Sequence, residues 1–293
     1  MYANVNGTKI FFDVEGLEYV PDGPKMRQRP VCFVLHGGPG GEHSHFLPTF
    51  SKMAETMQLI YVDDRNCGRS ERGDITKSSI KQNVEDLEAL RKYLGLGKVF
   101  LYGHSYGGIK AQRYMIDYPD SLHGVILSDC RANSDHREDS FKVVEQRGTP
   151  EQVALYKKML AHREAVDLSS YMETMCNIYN YRCNTTEQVQ AILDGERRCI
   201  CNDDVGVWQA ANDLSEENFN QLPELRNTHV PTLILVGKYD QVTPVAYSVD
   251  LHEAMPHSEL HIIDESCHEC FCDRPDYVFP CVADFVKRNF KAE

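Results

Sequence analysis

An α/β fold with a mostly parallel central sheet is what this sequence predicts, and three observations carry that expectation. Short apolar runs without polar alternation recur along the chain, amphipathic helical stretches separate them, and the runs end in Gly, Pro, Asp or Ser. A short unbroken apolar run fits a strand buried on both faces, as in a parallel sheet flanked by helices. Strand and helix in alternation give right-handed β-α-β units.

The first run, residues 31–35, ends at a Gly/Pro cluster. The second, 59–62, ends at Asp63 and Asp64; the third, 98–102, at Gly103; the fourth, 124–127, at Ser128 and Asp129. Between the second and third, Ile80, Val84, Leu87, Leu90 and Leu94 recur at helical spacing and make one apolar face. Gly95 and Gly97 stand where that helix should stop. From about 131 to 226 the chain turns polar, helix-prone and poor in strand signals. Strands resume at 232–236 and 260–263, and a last amphipathic helix carries Val278, Val282, Phe285 and Phe290. The expected organisation is one α/β core built from residues 1–130 and 227–293, interrupted by a helical cap over 131–226.

Composition narrows the function classes. A hydrophobic share of 42% over 293 residues is enough to bury a sizeable core without metals or crosslinks. A formal net charge of −13 argues against nucleic acid or an anionic membrane as the main partner. No apolar stretch is long enough for a transmembrane helix, and residues 1–13 lack a signal-peptide layout, so a cytoplasmic location is expected. On that expectation the sequons at Asn6 and Asn184 carry no weight. The odd count of 11 cysteines then points to reduced thiols rather than a disulfide framework. Cys267, Cys270 and Cys272, with His268, Cys199 and Cys201, could in principle hold a metal. Only Cys267 and Cys270 have knuckle spacing, so free thiols are preferred and no metal or cofactor is expected.

Three short motifs carry chemistry. Gly103-His104-Ser105-Tyr106-Gly107 lies between a predicted strand and a predicted helix beginning near Gly107. A serine in G-x-S-x-G sits on a strained turn that lifts its hydroxyl clear of the sheet, and the following helix offers backbone N–H groups to negative charge. Its hydroxyl needs a base to take the proton. His268 is the candidate, because it is the one histidine in the loop between the last strand and the last helix. Asp240, after the 232–236 strand, is the preferred acid to orient that imidazole; Asp129, at the end of another strand, competes. The third motif is His36-Gly37-Gly38-Pro39-Gly40-Gly41, whose glycines let backbone N–H groups approach a carbonyl oxygen. Gly38, or its neighbour Gly37, is expected to form an oxyanion hole with Tyr106. Together these motifs specify an α/β-hydrolase fold and a serine hydrolase with Ser105 as nucleophile.

The glycine loop, the element Asp63-x-Arg65-x-x-Gly68-x-Ser70 and the serine turn resemble the proline iminopeptidase (prolyl aminopeptidase) and amino-acid amidase family of α/β hydrolases. Gly237-Lys238-Tyr239-Asp240 and Thr243-Pro244 are similar to that family's acid loop, so the resemblance spans about 1–130 and 228–290. It implies cap carboxylates that hold a free substrate amine. The stretches at Glu164-Ala165 and Tyr181-Arg182-Cys183 look family-like. The chain departs from the pattern at Asn66, where the family has Gly, and at Tyr106, where it often has Trp. Asn tolerates a left-handed backbone, which makes the first change mild. Near Trp208 the family tends to carry Gly-Pro-Asn-Glu, whereas this chain reads Gln209-Ala210-Ala211-Asn212, so one expected acid is either missing or displaced to Asp213. Glu164, Trp208 and Asp213 are therefore the candidate substrate contacts, with Glu173 a weaker one.

The leading expectation is an aminopeptidase or amidase that releases a small N-terminal residue, proline among the candidates, or cleaves amino-acid amides through an acyl-enzyme. Its partner is then a small molecule or short peptide. An esterase, lactonase or thioesterase with the same triad is the alternative, and a non-catalytic binding protein that keeps the fold is a third. The acyl group, the leaving group and the oligomeric state are open at this level.

Overall fold

The computed structural model describes residues 1–162, 166–215 and 219–292. Among the described residues ten strands are formed: β1 (Tyr2–Val5), β2 (Thr8–Glu15), β3 (Tyr19–Asp22), β4 (Lys25–Gln28), β5 (Val31–Leu35), β6 (Gln58–Val62), β7 (Val99–His104), β8 (Leu122–Ser128), β9 (Thr232–Gly237) and β10 (Glu259–Ile263). Eight of them make one sheet in the order β1-β2-β6-β5-β7-β8-β9-β10, while β3 and β4 form a separate hairpin. From β6 through β10 every pairing is parallel, and β1 and β2 add an antiparallel edge. Residues of β5, β7, β8 and β9 are buried throughout, which explains why their sequences show no polar alternation.

Helices follow the strands: α1 (Ile80–Tyr93), α2 (Tyr106–Asp117), α9 (Val245–Ala254), α10 (Cys270–Asp273) and α11 (Pro275–Asn289) belong to the sheet. On one face Val84, Leu87 and Leu90 of α1, Tyr114 and Met115 of α2 and Leu251 of α9 pack against Phe33, Leu101, Val125 and Ile234. On the other, Val278, Val282 and Phe285 of α11 join Phe46, Phe50 and Phe271 against Val34, Tyr102 and Leu235. The α1 helix starts where Ser79 accepts the Gln82 N–H and ends before Gly95, whose φ is +68°.

Between β8 and β9 the chain forms α3 (Arg137–Arg147), α4 (Pro150–Ala161), α5 (Leu168–Tyr179), α6 (Thr186–Glu196), α7 (Asp203–Ala211) and the short α8 (Leu222–Leu225). Capping boxes at Thr149/Gln152 and Thr185/Gln188 start α4 and α6. Val144, Tyr156, Tyr171, Met175 and Ile178 give α3, α4 and α5 a small apolar cluster of their own. No described helix is long and apolar enough to cross a membrane.

Candidate active site

Ser105 joins β7 to α2 with φ +54° and ψ −120°, a conformation that a non-glycine residue holds only under constraint. The constraint comes from its neighbours. The Ser105 N–H donates to the Ser128 carbonyl at 2.9 Å. A side chain at Gly103 would strike the Gly107 carbonyl, one at Gly107 the Leu35 carbonyl, and one at Gly108 the Cys130 sulfur. The glycines of the motif are thus demanded by close backbone crossing.

Two long-range hydrogen bonds complete a relay. His268 Nε2 lies 3.1 Å from Ser105 Oγ, and His268 Nδ1 lies 2.9 Å from Asp240 Oδ2. In the neutral ring a proton on Nδ1, facing the carboxylate, leaves Nε2 to accept from the hydroxyl. Asp240 is fully buried, and its Oδ1 accepts the Val242 and Thr243 N–H groups at 2.7 and 2.8 Å. Its Oδ2 also accepts the Thr243 hydroxyl at 2.7 Å. Burial works to raise the Asp240 pKa, but the charge of His268 and these hydrogen bonds hold it below the usual carboxylate range. Burial alone would lower the His268 pKa; the Asp240 charge and hydrogen bond override it and raise it to about 9.

The competing acid stands apart. Asp129 is buried at the end of β8, and the hydrogen bonds to its carboxylate come from Gly237 N–H, Cys270 N–H and the Ser128 hydroxyl. His104 turns away from Ser105 into an aromatic nest, its ring 5.3 Å from Phe271 and 5.0 Å from His268. Burial drives its pKa well below the ordinary histidine range. His36 sits under the glycine loop, with Nδ1 2.8 Å from the Gly37 carbonyl and Nε2 accepting the Asp64 N–H at 3.2 Å.

The glycine loop lies beside the serine. A Cβ at Gly37 would come within 3.2 Å of the Ser105 Cβ. Gly38 has φ +122°, and Tyr106 opens α2, where an amide has no partner within the helix. The Asp63 element braces this loop from below. Asp63 accepts the His43 and Arg69 N–H groups at 3.0 and 2.8 Å, and Arg65 forms a two-pronged pair with Asp86 at 2.6 and 2.7 Å. Asn66, in place of the family's Gly, takes φ +63°, the left-handed conformation that both residues tolerate.

A cavity of about 320 Å³ opens over Ser105, lined by the glycine loop, His45, His104, His268 and Val242 from the core. Tyr179, Cys199, Cys201 and Asp203 complete it from the inserted segment. Three acidic residues line it, Glu42, Asp203 and Glu269, and neither Lys nor Arg is among its described lining residues. Glu42 is engaged, accepting from Ser44 N–H at 2.9 Å and pairing with Arg69 at 3.2 Å.

The expected substrate contacts are placed differently. Asp213 accepts the Ile80 N–H at 2.7 Å and so serves the start of α1; it does not line the cavity. Trp208 does not line it either, and Gln209 beside it is used to hold the Ser78 carbonyl. Glu173 borders a separate surface groove with Asn177 and Val189. Glu164 lies outside the described residues. In their stead α7 approaches with its N-terminal end: Asn202 N–H donates to the Gly40 carbonyl at 2.8 Å, which brings Asp203 to the cavity. Glu269 was within reach of sequence reasoning, being next to His268; Asp203 was not, because nothing local shows which helix end meets the glycine loop.

Metal-type side chains cluster in two places among the described residues, His36 with Asp64 and Cys67, and Glu42 with His43 and Asp63. In the first the Lys110 ammonium already occupies Asp64. In the second His43 Nδ1 lies 2.7 Å from Asp63, and Arg69 pairs with Glu42. Both sets read as paired polar networks rather than open coordination sites.

A family model for the alpha/beta hydrolase fold matches residues 30–275. Proline iminopeptidase of Saccharolobus solfataricus is 29% identical over 272 residues, covering 87% of this chain and 84% of that protein. Among solved structures, a proline iminopeptidase of Mycobacterium smegmatis superposes with TM-score 0.77 at 17% identity, covering 99% of this chain and 98% of that one. An esterase of Exiguobacterium antarcticum does so with TM-score 0.72 at 21% identity, covering 97% of each chain.

Proposed function

Since this chain belongs to the alpha/beta hydrolase fold family, we propose that it is a serine hydrolase that acts as an aminopeptidase or amidase on a small substrate with a free amine. The observation that carries the reading is the Ser105, His268 and Asp240 relay opening into a cavity whose described lining holds three acidic residues and neither Lys nor Arg. Ser105 Oγ attacks the substrate carbonyl while His268 Nε2 takes its proton. The backbone N–H groups of Gly38 and Tyr106 hold the oxygen as it becomes negative. Asp240 keeps the Nδ1 proton in place and stabilises the imidazolium. His268 then protonates the leaving amine, and water repeats the sequence to free the acid.

In this reading the helices from 131 to 226 act as the cap, and Asp203 and Glu269 hold the substrate ammonium. A cation entering a partly desolvated cavity requires such a partner. Glu42 contributes less, because Arg69 already neutralises it. The relatives named proline iminopeptidase support this assignment. An ester or lactone substrate is the second reading. It is favoured by Gln209 standing in the stretch where the related family carries its acid motif, and by Gln209 being committed to Ser78.

Aminoacyl and prolyl anilides, their N-acetylated forms and simple acetyl esters, run side by side, separate the two. The aminopeptidase reading expects N-acetylation to weaken kcat/KM by about 2–4 kcal/mol, the scale of a desolvated charge pair. Asp203→Asn or Glu269→Gln should raise KM for the anilides and spare the acetyl esters. Equal turnover of free and acetylated substrates would hand the assignment to the esterase reading.

A further inference from the structure

Asp129 closes β8 with φ +49°, in the left-handed region that few residues other than glycine adopt. Its side chain is fully buried, and both oxygens are used. Oδ1 accepts the Gly237 N–H at 2.9 Å. Oδ2 accepts the Ser128 hydroxyl at 2.8 Å and the Cys270 N–H at 3.3 Å. These partners belong to the two turns that carry the relay. Gly237 starts the Asp240 turn, its carbonyl accepting the Asp240 N–H at 3.1 Å. Cys270 opens α10, two residues beyond His268. One buried carboxylate therefore ties the turn of the acid to the turn of the base, and neither oxygen is hydrogen-bonded to His268.

We propose that Asp129 is a positioning residue for the triad, fixing the Asp240 turn against the His268 turn and setting, through its charge, how tightly His268 holds its proton. The inference rests on the serine-hydrolase reading. The titratable groups that face Asp129 come from every element packed on it. Tyr102 and His104 approach from β7, with His104 Nδ1 3.9 Å away. Cys130 follows it in the chain, Asp240 faces it from one turn, and His268 and Cys270 face it from the other. Burial and then the Asp240 charge raise the Asp129 pKa to about 7. Once ionised, Asp129 adds to the field that favours the His268 imidazolium. Removing its charge should therefore let His268 lose its proton at lower pH.

The test is the rate at which a fluorophosphonate labels Ser105, measured against pH in wild type, Asp129→Asn and Asp129→Gly. This readout needs no knowledge of the substrate. The acid-side midpoint should move down by about half a pH unit or more in both variants. Glycine suits the left-handed backbone, so it keeps a folded variant available should asparagine fail to fold. Asp129→Gly also loses both clamps, so its plateau rate should fall about tenfold or more. Asparagine retains one acceptor and should fall less. Thermal denaturation under the same conditions establishes that each variant is folded. A midpoint within about 0.2 pH unit of wild type in a folded variant, or an undiminished plateau in Asp129→Gly, would overturn the proposal while leaving the triad standing. A wild type that is not labelled at all would sink the hydrolase reading and this inference with it.

Discussion

Asp240→Asn is the sharpest perturbation this site offers, because the hydrogen bonds around the carboxylate dictate how the amide must sit. Asp240 Oδ1 faces two N–H donors, from Val242 at 2.7 Å and Thr243 at 2.8 Å. The asparagine carbonyl must take that place, since an NH₂ group there would confront donors with donors. Its NH₂ then occupies the Oδ2 position, 2.9 Å from His268 Nδ1. The only favourable contact left is for Nδ1 to accept. That puts the imidazole proton on Nε2, pointing at Ser105, and the ring can no longer take the serine proton. The imidazolium also loses the charge beside it. A loss of about 10⁴ in kcat is expected, as when the orienting acid of a serine triad is neutralised. That corresponds to about 5.5 kcal/mol of transition-state stabilisation. The assay is kcat on whichever anilide or ester the panel identifies, with Asp129→Asn run in parallel. Asp129→Asn should cost far less, because Asp129 is not bonded to His268. A residual rate within about tenfold of wild type for Asp240→Asn, or a larger loss for Asp129→Asn, would refute the assignment of the acid and the geometry behind it.

Three further outcomes are expected. Ser105→Ala should abolish turnover and fluorophosphonate labelling, while stability moves by less than about 1 kcal/mol; near-normal turnover would remove Ser105 from the mechanism. Lys110 and Asp64 form a buried pair, only 3% and 8% exposed, so Lys110→Met should lower the unfolding free energy in a denaturant titration by about 3–5 kcal/mol by leaving Asp64 buried without its ammonium partner. A shift below about 1 kcal/mol would refute the dependence of Asp64 on the Lys110 ammonium. Prolonged chelator treatment should change neither melting temperature nor activity, and metal analysis finding about one zinc per chain with a lowered Tm on its removal would overturn the reading of the cysteines as thiols.

The sequence by itself determined the sheet and the serine turn. The runs at 31–35, 59–62, 124–127, 232–236 and 260–263 fall within parallel strands, 98–102 does so except for Lys98, and the helical spacing from Ile80 to Leu94 gave α1, because both patterns are local and follow from burial with a fixed period. Ser105 was legible for the same reason, since its turn needs Gly103, Gly107 and Gly108 within a few residues of it. The antiparallel edge made by β1 and β2 was less visible, as β2 alternates in burial and pairs through its backbone. Loop position in the sequence favoured Asp240 over Asp129, but both stand at strand ends, and the distance that sets Asp240 against His268 is a tertiary one. So did the lining of the cavity. Asp213 and Asp203 are both acids of the inserted segment. Asp213 caps α1 and Asp203 reaches the cavity because Asn202 bonds to the Gly40 carbonyl. A helix face is written in its own periodicity, but which end of a helix meets a distant loop depends on packing among segments far apart in the chain, and no local pattern encodes it.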